Sequence, residues 1–431
     1  MFETVNVSGC TCGKEHSFDS EIILEKGAIN RLPEALKDVK KVFLIADKNT
    51  FEAAGKTVEA LLIQNGITVK KHVFSEDALE PDEANVGLAI MSFLPDCQWV
   101  IGVGSGVIND ISKIVASVSG KRYAIVATAP SMDGYASATS SMTVSGLKAS
   151  LPSKCADLII GDTDVLCRAP LEMRIAGLGD MLAKYVSICE WRISNLINGE
   201  YYCAHVAELV RESLKKCTDN ALGLLVGEEK AVEAVFEGLI LCGAAMKFAG
   251  VSRPASGVEH YFSHVWDMRG AELSEPVALH GLQCAVGTLI AVELYGKIKS
   301  TVPEKEKAYK YIDSFDVEGW NGELRAFLGK SAEAMIALEE KEHKYDKEAQ
   351  KARFDVIAEK WEDILEIINE ELPEQEELKA LYKKMGLPMT MSGIGLDEGI
   401  LEMTFKASKD IRDKYVLSRL CADLGIIDEI I

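Results

Sequence analysis

Three of the seven histidines in this 431-residue chain fall within one short region. His260 and His264 stand in Ser256-Gly-Val-Glu-His260-Tyr-Phe-Ser-His264, and His280 follows in Leu279-His280-Gly281. Residues four apart lie one above the other on a helix, so His260 and His264 can aim two imidazoles into one cavity. The apolar run from Gly281 to Gly287 reads as a second helix, from which His280 can close on them. Neutral imidazole is the commonest metal ligand, and a catalytic site typically joins about three protein ligands with one open position. The spacing points to an open metal site; the plain alternative is a set of hydrogen-bonded core histidines.

A carboxylate would complete such a site. In Gly177-Leu-Gly-Asp180-Met-Leu-Ala-Lys184-Tyr-Val-Ser187, Leu178, Leu182, Tyr185 and Cys189 form an apolar stripe, and Asp180, Lys184 and Ser187 a polar one beside it. That polar stripe either faces water or contributes Asp180 as a third ligand. A separate cluster, Cys10-Thr-Cys12-Gly-Lys-Glu-His16, has three metal-type side chains at ligand spacing but no evident fourth nearby, and reads equally well as a turn.

These residues need elements to hold them. From Val42 onward, short apolar runs alternate with helical stretches. Val42–Ala46, Val69–Phe74, Trp99–Val103 and Tyr123–Ala127 read as strands, with helices near 51–65, 81–93 and 107–119 between them. Such alternation implies parallel pairing and an α/β layer of the nucleotide-binding kind. Gly102-Val-Gly104-Ser-Gly106 lies between a strand and a helix, where glycines let backbone approach a pyrophosphate and a helix N-terminus offers free N–H groups. Asp47, ending the first of these strands, is placed either to accept from an adenosine ribose or to cap the next helix. The loop from Thr128 through Ser131, Asp133 and Ser137 is either a cofactor and substrate loop or a polar surface turn. An extended segment then runs through Lys148 and Lys154 to Leu158–Asp164. After Ala169-Pro170 nearly everything reads as helix, so the chain divides into residues 1–168, an α/β domain, and 169–431, a helical one.

Length favours two domains. The 48% apolar and 7% aromatic content is that of a globular protein. A net charge of −20 argues against nucleic acid and anionic membranes, which are bound through clustered Lys and Arg. Eleven scattered cysteines fit reduced thiols. With no basic and apolar leader, and no apolar run of about 18 residues, a cytoplasmic protein is expected.

Taken together, the Asp180 helix, the His260-x3-His264 segment, His280-Gly281, the glycine loop and the Asp133 loop resemble the superfamily of metal-dependent alcohol and polyol dehydrogenases that also contains dehydroquinate synthase. Within it, Ser252-Arg-Pro-Ala-Ser-Gly-Val-Glu-His260, Ser131-Met-Asp133-Gly, and Leu387-Pro388 with Ile394-Gly-Leu-Asp397 look like bacterial sn-glycerol-1-phosphate dehydrogenases. The resemblance implies a Rossmann-like parallel sheet followed by a helical domain. It implies Asp180, His260 and His280 as ligands of one divalent metal, zinc or nickel, with His264 near the substrate. Gly104, Ser105, Gly106 and Asp110 would hold the pyrophosphate of NAD, or of NADP. Asp47 would face the ribose, Thr128 and Ser131 the nicotinamide, with Ser137 among the cofactor contacts, and Asp133 the substrate hydroxyls.

The resemblance further implies hydride transfer between NADH and dihydroxyacetone phosphate giving sn-glycerol 1-phosphate, in a homodimer. Where iron alcohol dehydrogenases carry a fourth ligand, this chain has Lys184, expected to read the substrate phosphate, with Arg253, Lys148 and Lys154 as further cations. Glycerol dehydrogenase, a dehydroquinate synthase-like lyase and a nucleotide-sensing binding protein are the rival readings.

Overall fold

The computed structural model describes residues 10–76, 79–144 and 147–431, with only the backbone described at 147 and 148. The chain divides into two compact units. One holds the residues up to Met181 together with Glu208–Val251, the other Leu182–Ala207 and Ser252–Ile431.

The first unit is built on eight strands: β1 (Glu21–Glu25), β2 (Lys41–Asp47), β3 (Thr68–Phe74), β4 (Trp99–Gly104), β5 (Arg122–Ala127), β6 (Thr139–Val144), β7 (Leu147–Pro152) and β8 (Leu158–Asp162). Six form one sheet in the order β1-β8-β5-β4-β2-β3, every pair parallel. The expected α/β layer is therefore present. Its central strands are buried almost throughout, which is why they read as unbroken apolar runs rather than alternating ones. Val42, Leu44 and Ala46 of β2, Ile101 and Val103 of β4, and Ile160 of β8 pack on one side with Leu32, Val58 and Leu62. At one edge, β1 is half exposed, its apolar run Ile22-Ile-Leu24 only three residues long between glutamates, and it was passed over in the sequence. At the other edge Lys70 and Lys71 sit mid-strand in β3, where charge discourages pairing with a foreign strand.

The extended segment after the Asp133 loop is an antiparallel hairpin, β6 with β7, before the chain re-enters the sheet at β8. Helical structure returns to this unit after the last strand. The helix Glu229–Ala249 sets Phe236 edge-on to Tyr135 at 5.3 Å, and its ring fills the space beside Gly161 of β8. The observed division therefore differs from a single cut after residue 168. The helices Leu171–Leu182 and Ala204–Asn220 straddle its borders, and 208–251 returns to the sheet because its apolar side is needed there.

The second unit is helical, with no strand among its described residues. Helices Lys184–Asn198, Val258–Leu273 and His280–Ile298 form its middle, with Trp191, Trp266 and Tyr295 fully buried. Charges enter this interior only when paired, since an isolated buried ion is costly. The guanidinium of Arg253, 1% exposed, donates to Glu200 at 2.8 Å, to the Tyr415 carbonyl at 2.7 Å and to Ser194 Oγ at 3.2 Å. Among the described residues no helix is long and apolar enough to cross a membrane.

Candidate active site

In the first unit the chain path reverses about β2: the connection out of β2 leads to β3 on one side, and the connection out of β3 leads back past it to β4 on the other. The crevice beyond the carboxyl ends of strands at such a reversal is where open α/β sheets bind ligands. Asp47 ends β2 and Gly104 ends β4, the two strands being paired through Ala46 and Val103. This explains why the glycine loop follows a later strand in sequence: in space β4 is the neighbour of β2. The next strand brings Thr128, whose N–H donates to the Gly104 carbonyl at 3.1 Å.

The glycine loop opens the helix Gly106–Ser119, within one residue of the stretch 107–119 expected from the sequence. Gly104 is there for close packing, since a Cβ would stand 2.5 Å from Ile108 Cβ. Ser105 is the N-cap and makes no side-chain cap bond, leaving the first-turn N–H groups without that internal acceptor. Asp47 does cap: its Oδ1 accepts from Asn49 N at 2.8 Å and Thr50 N at 2.9 Å. Asp110 lies in the second turn of the Gly106–Ser119 helix, and its carbonyl accepts from Ser140 Oγ at 3.3 Å.

Below this face two side chains of the same helix hold the Asp133 loop. Asn109 Nδ2 donates to the Gly134 carbonyl at 3.1 Å, and its Oδ1 accepts from Tyr123 OH at 2.9 Å. Lys113 donates to the carbonyls of Gly134 and Thr139; burial lowers its pKa. Both are buried and were missed; their i,i+4 spacing on an apolar helix was the available signal. Asp133 N donates to Asp180 Oδ2 at 2.9 Å, so these two expected site residues meet. Asp180 is completely buried, Thr128 and Ser131 nearly so. Ser137 accepts from Thr139 N at 3.1 Å and lies 2.9 Å from its hydroxyl, which closes the turn into β6.

In the second unit the three histidines converge. The rings of His260 and His280 are 5.1 Å apart, and those of His264 and His280 are stacked at 6.4 Å. The donor atoms of His260, His280 and Cys284 lie within 4.8 Å of one another. Glu259 Oε1 accepts from Gly257 N at 2.7 Å and lies 2.8 Å from His260 Nδ1. A carboxylate only accepts, so Nδ1 carries the proton and Nε2 keeps its lone pair for a metal. Ser263 Oγ holds His280 Nδ1 at 3.0 Å, and Cys284 Sγ is 3.5 Å from His280 Nε2.

Gly257 is required by close approach: a Cβ there would stand 2.7 Å from carboxylate oxygens of both Glu190 and Glu259. Glu190 accepts from Val258 N at 2.9 Å and Leu417 N at 2.8 Å. Burial and the neighbouring Glu259 raise its pKa. Burial opposes the Cys284 thiolate, but the adjacent His260 and His280 outweigh it and hold the thiol below its ordinary value. Glu190, Glu259, Ser263 and Cys284 were all missed. Cys284 had a signal, standing four residues after His280, whereas Glu190 lies some seventy residues from the segment it supports and had none.

Lys184 departs from expectation. It is completely buried, and its ammonium donates to the Ala255 carbonyl at 3.0 Å while Ser187 Oγ donates to the Pro254 carbonyl at 3.1 Å. The turn before His260 leaves these carbonyls outside any helix, and a buried carbonyl demands a donor. The polar stripe thus fastens the histidine segment rather than facing water or substrate. Arg253 is committed as described above, and Lys154 pairs with Asp157 at 2.9 Å; the Lys148 side chain lies outside the described residues. The cations that bear on His264 are others. Its pKa falls well below the ordinary value, through loss of hydration first and then Arg412, with His280, His260 and, least, Lys414 also contributing. Lys414 itself is pushed down to about 7 by burial and by Arg253 and Arg412, and donates to the Ser256 carbonyl at 2.9 Å.

Residues 23–170 match the family model of iron-containing alcohol dehydrogenases. The chain is 33% identical over 319 residues to a glycerol-1-phosphate dehydrogenase [NAD(P)+] of Halalkalibacterium halodurans, covering 72% of this chain and 78% of that protein. It is 26% identical over 431 residues to the enzyme of the same name from Bacillus licheniformis, covering 98% and 94%. Among solved structures, glycerol dehydrogenase from Schizosaccharomyces pombe superposes with a TM-score of 0.62 at 20% identity over 97% of this chain and 91% of that one, a likeness of fold.

Proposed function

Because the chain belongs to the glycerol-1-phosphate dehydrogenase family, we propose that it interconverts dihydroxyacetone phosphate and sn-glycerol 1-phosphate with NAD(H) or NADP(H). The observation that carries this reading is kinship over nearly the whole length of both chains, so that both the glycine loop and the histidine segment fall within it.

The second unit's donor set fits a divalent metal: two imidazoles and a thiol converge, and His260 has its Nδ1 committed to Glu259, which leaves Nε2 for coordination. We assign Asp180, His260 and His280 as the ligands, with Cys284 as a further donor beside them; zinc or nickel suits imidazole with carboxylate. Such an ion, when bound, supplies a Lewis acid for a ketone oxygen, and the nicotinamide supplies the hydride. The chain's own residues do the rest. Gly104, Ser105 and Gly106 present N–H groups for a pyrophosphate, with Asp110 on the helix they open, and Thr128 and Ser131 flank them. Asp47 keeps one carboxylate oxygen on its helix cap and offers the carboxylate to a ribose, favouring NADH over NADPH. Asp133, held through its N–H by Asp180, orients the substrate hydroxyls. His264, held neutral by burial first and by nearby cations second, accepts a hydrogen bond rather than carrying a proton in.

For the phosphate we assign Arg412 in place of Lys184. It is the charge that weighs most against protonation of His264, whereas the ammonium groups of Lys184 and Lys414 are both spent on backbone carbonyls. The setting we propose is cytoplasmic and the assembly a homodimer. The test follows NADH absorbance with dihydroxyacetone phosphate, dihydroxyacetone or glycerol. Arg412→Met should weaken use of dihydroxyacetone phosphate by about 1.5–3 kcal/mol, as for one charged hydrogen bond, and leave dihydroxyacetone nearly unchanged. Equal turnover of the phosphorylated and unphosphorylated ketones by the unmutated protein would reject the phosphate assignment and favour a polyol dehydrogenase.

A further inference from the structure

The first unit holds a second gathering of metal-type ligands that the proposed reaction does not use. The donor atoms of Cys10, Cys12 and His16 lie within 4.8 Å of one another, and Cys12 Sγ is 3.2 Å from His16 Nε2. The segment has no helix to bring them together. It folds back at Gly13, whose φ of +85° is a left-handed conformation that side chains resist. His16 is 3% exposed and lies beside the Phe248 ring at 5.3 Å. Lys14 donates to the Ala249 carbonyl at the end of the helix Glu229–Ala249. Cys10 and Cys12 are each partly buried.

We propose that Cys10, Cys12 and His16 bind a zinc ion that clamps the N-terminal segment onto the first unit. Tetrahedral bonds of about 2.3 Å to sulfur and 2.0–2.1 Å to nitrogen place neighbouring donors roughly 3.5–3.8 Å apart, close to what the turn already provides. Thiolate with imidazole is a ligand set that selects zinc among common divalent ions. Each thiol gives its proton to solvent on binding, and no electron moves. A short segment with little apolar surface cannot order itself by burial, and metal binding supplies folding free energy outright in such cases. The role is structural: these three ligands are most of a closed tetrahedral set, and the fourth position falls to a further thiolate or to water.

The test compares the full-length protein as purified with the Cys10→Ser/Cys12→Ser variant by elemental analysis and native mass spectrometry. The variant should contain about one zinc per chain less and retain the metal that His280→Ala removes. In the cobalt-substituted protein, sulfur-to-cobalt charge-transfer absorbance should fall in the same variant. Unchanged zinc content overturns the proposal. Should the variant fail to fold, the unmutated protein decides. Pulsed alkylation under native conditions should label Cys10 and Cys12 at least about tenfold more slowly before a zinc chelator is added than after, because bound thiolates are shielded. Labelling at the same rate in both, or a Cys10–Cys12 disulfide, overturns it.

Discussion

The proposed cofactor face of the first unit is made mostly of backbone, whereas the histidine centre of the second is made of side chains. At the end of β4 the loop offers N–H groups, and its glycines are set by what a Cβ would strike, Ile108 at Gly104. Around His260 the holding bonds come instead from side chains: Glu259 on His260, Ser263 on His280, Glu190 under Val258, Lys184 on the Ala255 carbonyl. A backbone site should therefore be sensitive to added bulk and indifferent to most polar changes nearby. A side-chain site should fail when a partner one bond removed from the ligands is altered.

The largest expected effect is at the centre itself. His280→Ala should remove the ion of this centre, about one metal per chain by elemental analysis, leave the zinc proposed at Cys10, Cys12 and His16 in place, and lower turnover by roughly 10³-fold or more, with the far-ultraviolet circular dichroism unchanged. Full metal occupancy in that variant would remove His280 from the ligand set. Next comes Glu259→Gln, which keeps the shape but removes the charge that orients His260. Metal affinity, measured by competition with a chelator, should fall by about 10–100-fold, the usual range for an outer partner of a ligand histidine. An unchanged affinity would mean that the histidine centre does not depend on its neighbours, and the contrast between the two regions would fail. Smaller again is Gly104→Ala. Its methyl group must displace Ile108, so urea unfolding should show a loss of about 1–3 kcal/mol, together with a raised KM for NADH and an unchanged metal content. If stability held while metal was lost, the glycine would be serving the other region.

The parts of this protein that announce themselves in sequence are those governed by local rules. β2, β4, β5 and β8 are buried on both faces, so each reads as an apolar run, and His260 and His264 share a helix face because helical geometry demands it. β1 was passed over because its apolar run, Ile22 to Leu24, is only three residues long between glutamates, shorter than the runs of the central strands. Lys184 was misplaced because its helical face could be read but not what that face meets. A turn rich in proline and glycine leaves carbonyls needing donors, and only packing shows that Lys184 and Ser187 supply them.

By itself the chain determined the α/β layer, the helical remainder, the glycine loop and the clustering of histidines, all of which depend on neighbours within a turn or a strand. The tertiary structure alone decided that β4 lies beside β2, that Glu190 supports a segment some seventy residues away, and that Lys184 and Ser187 meet the carbonyls of the turn before His260. Those relations arise from burial and charge between distant segments, where the free energy depends on distance in space rather than along the chain.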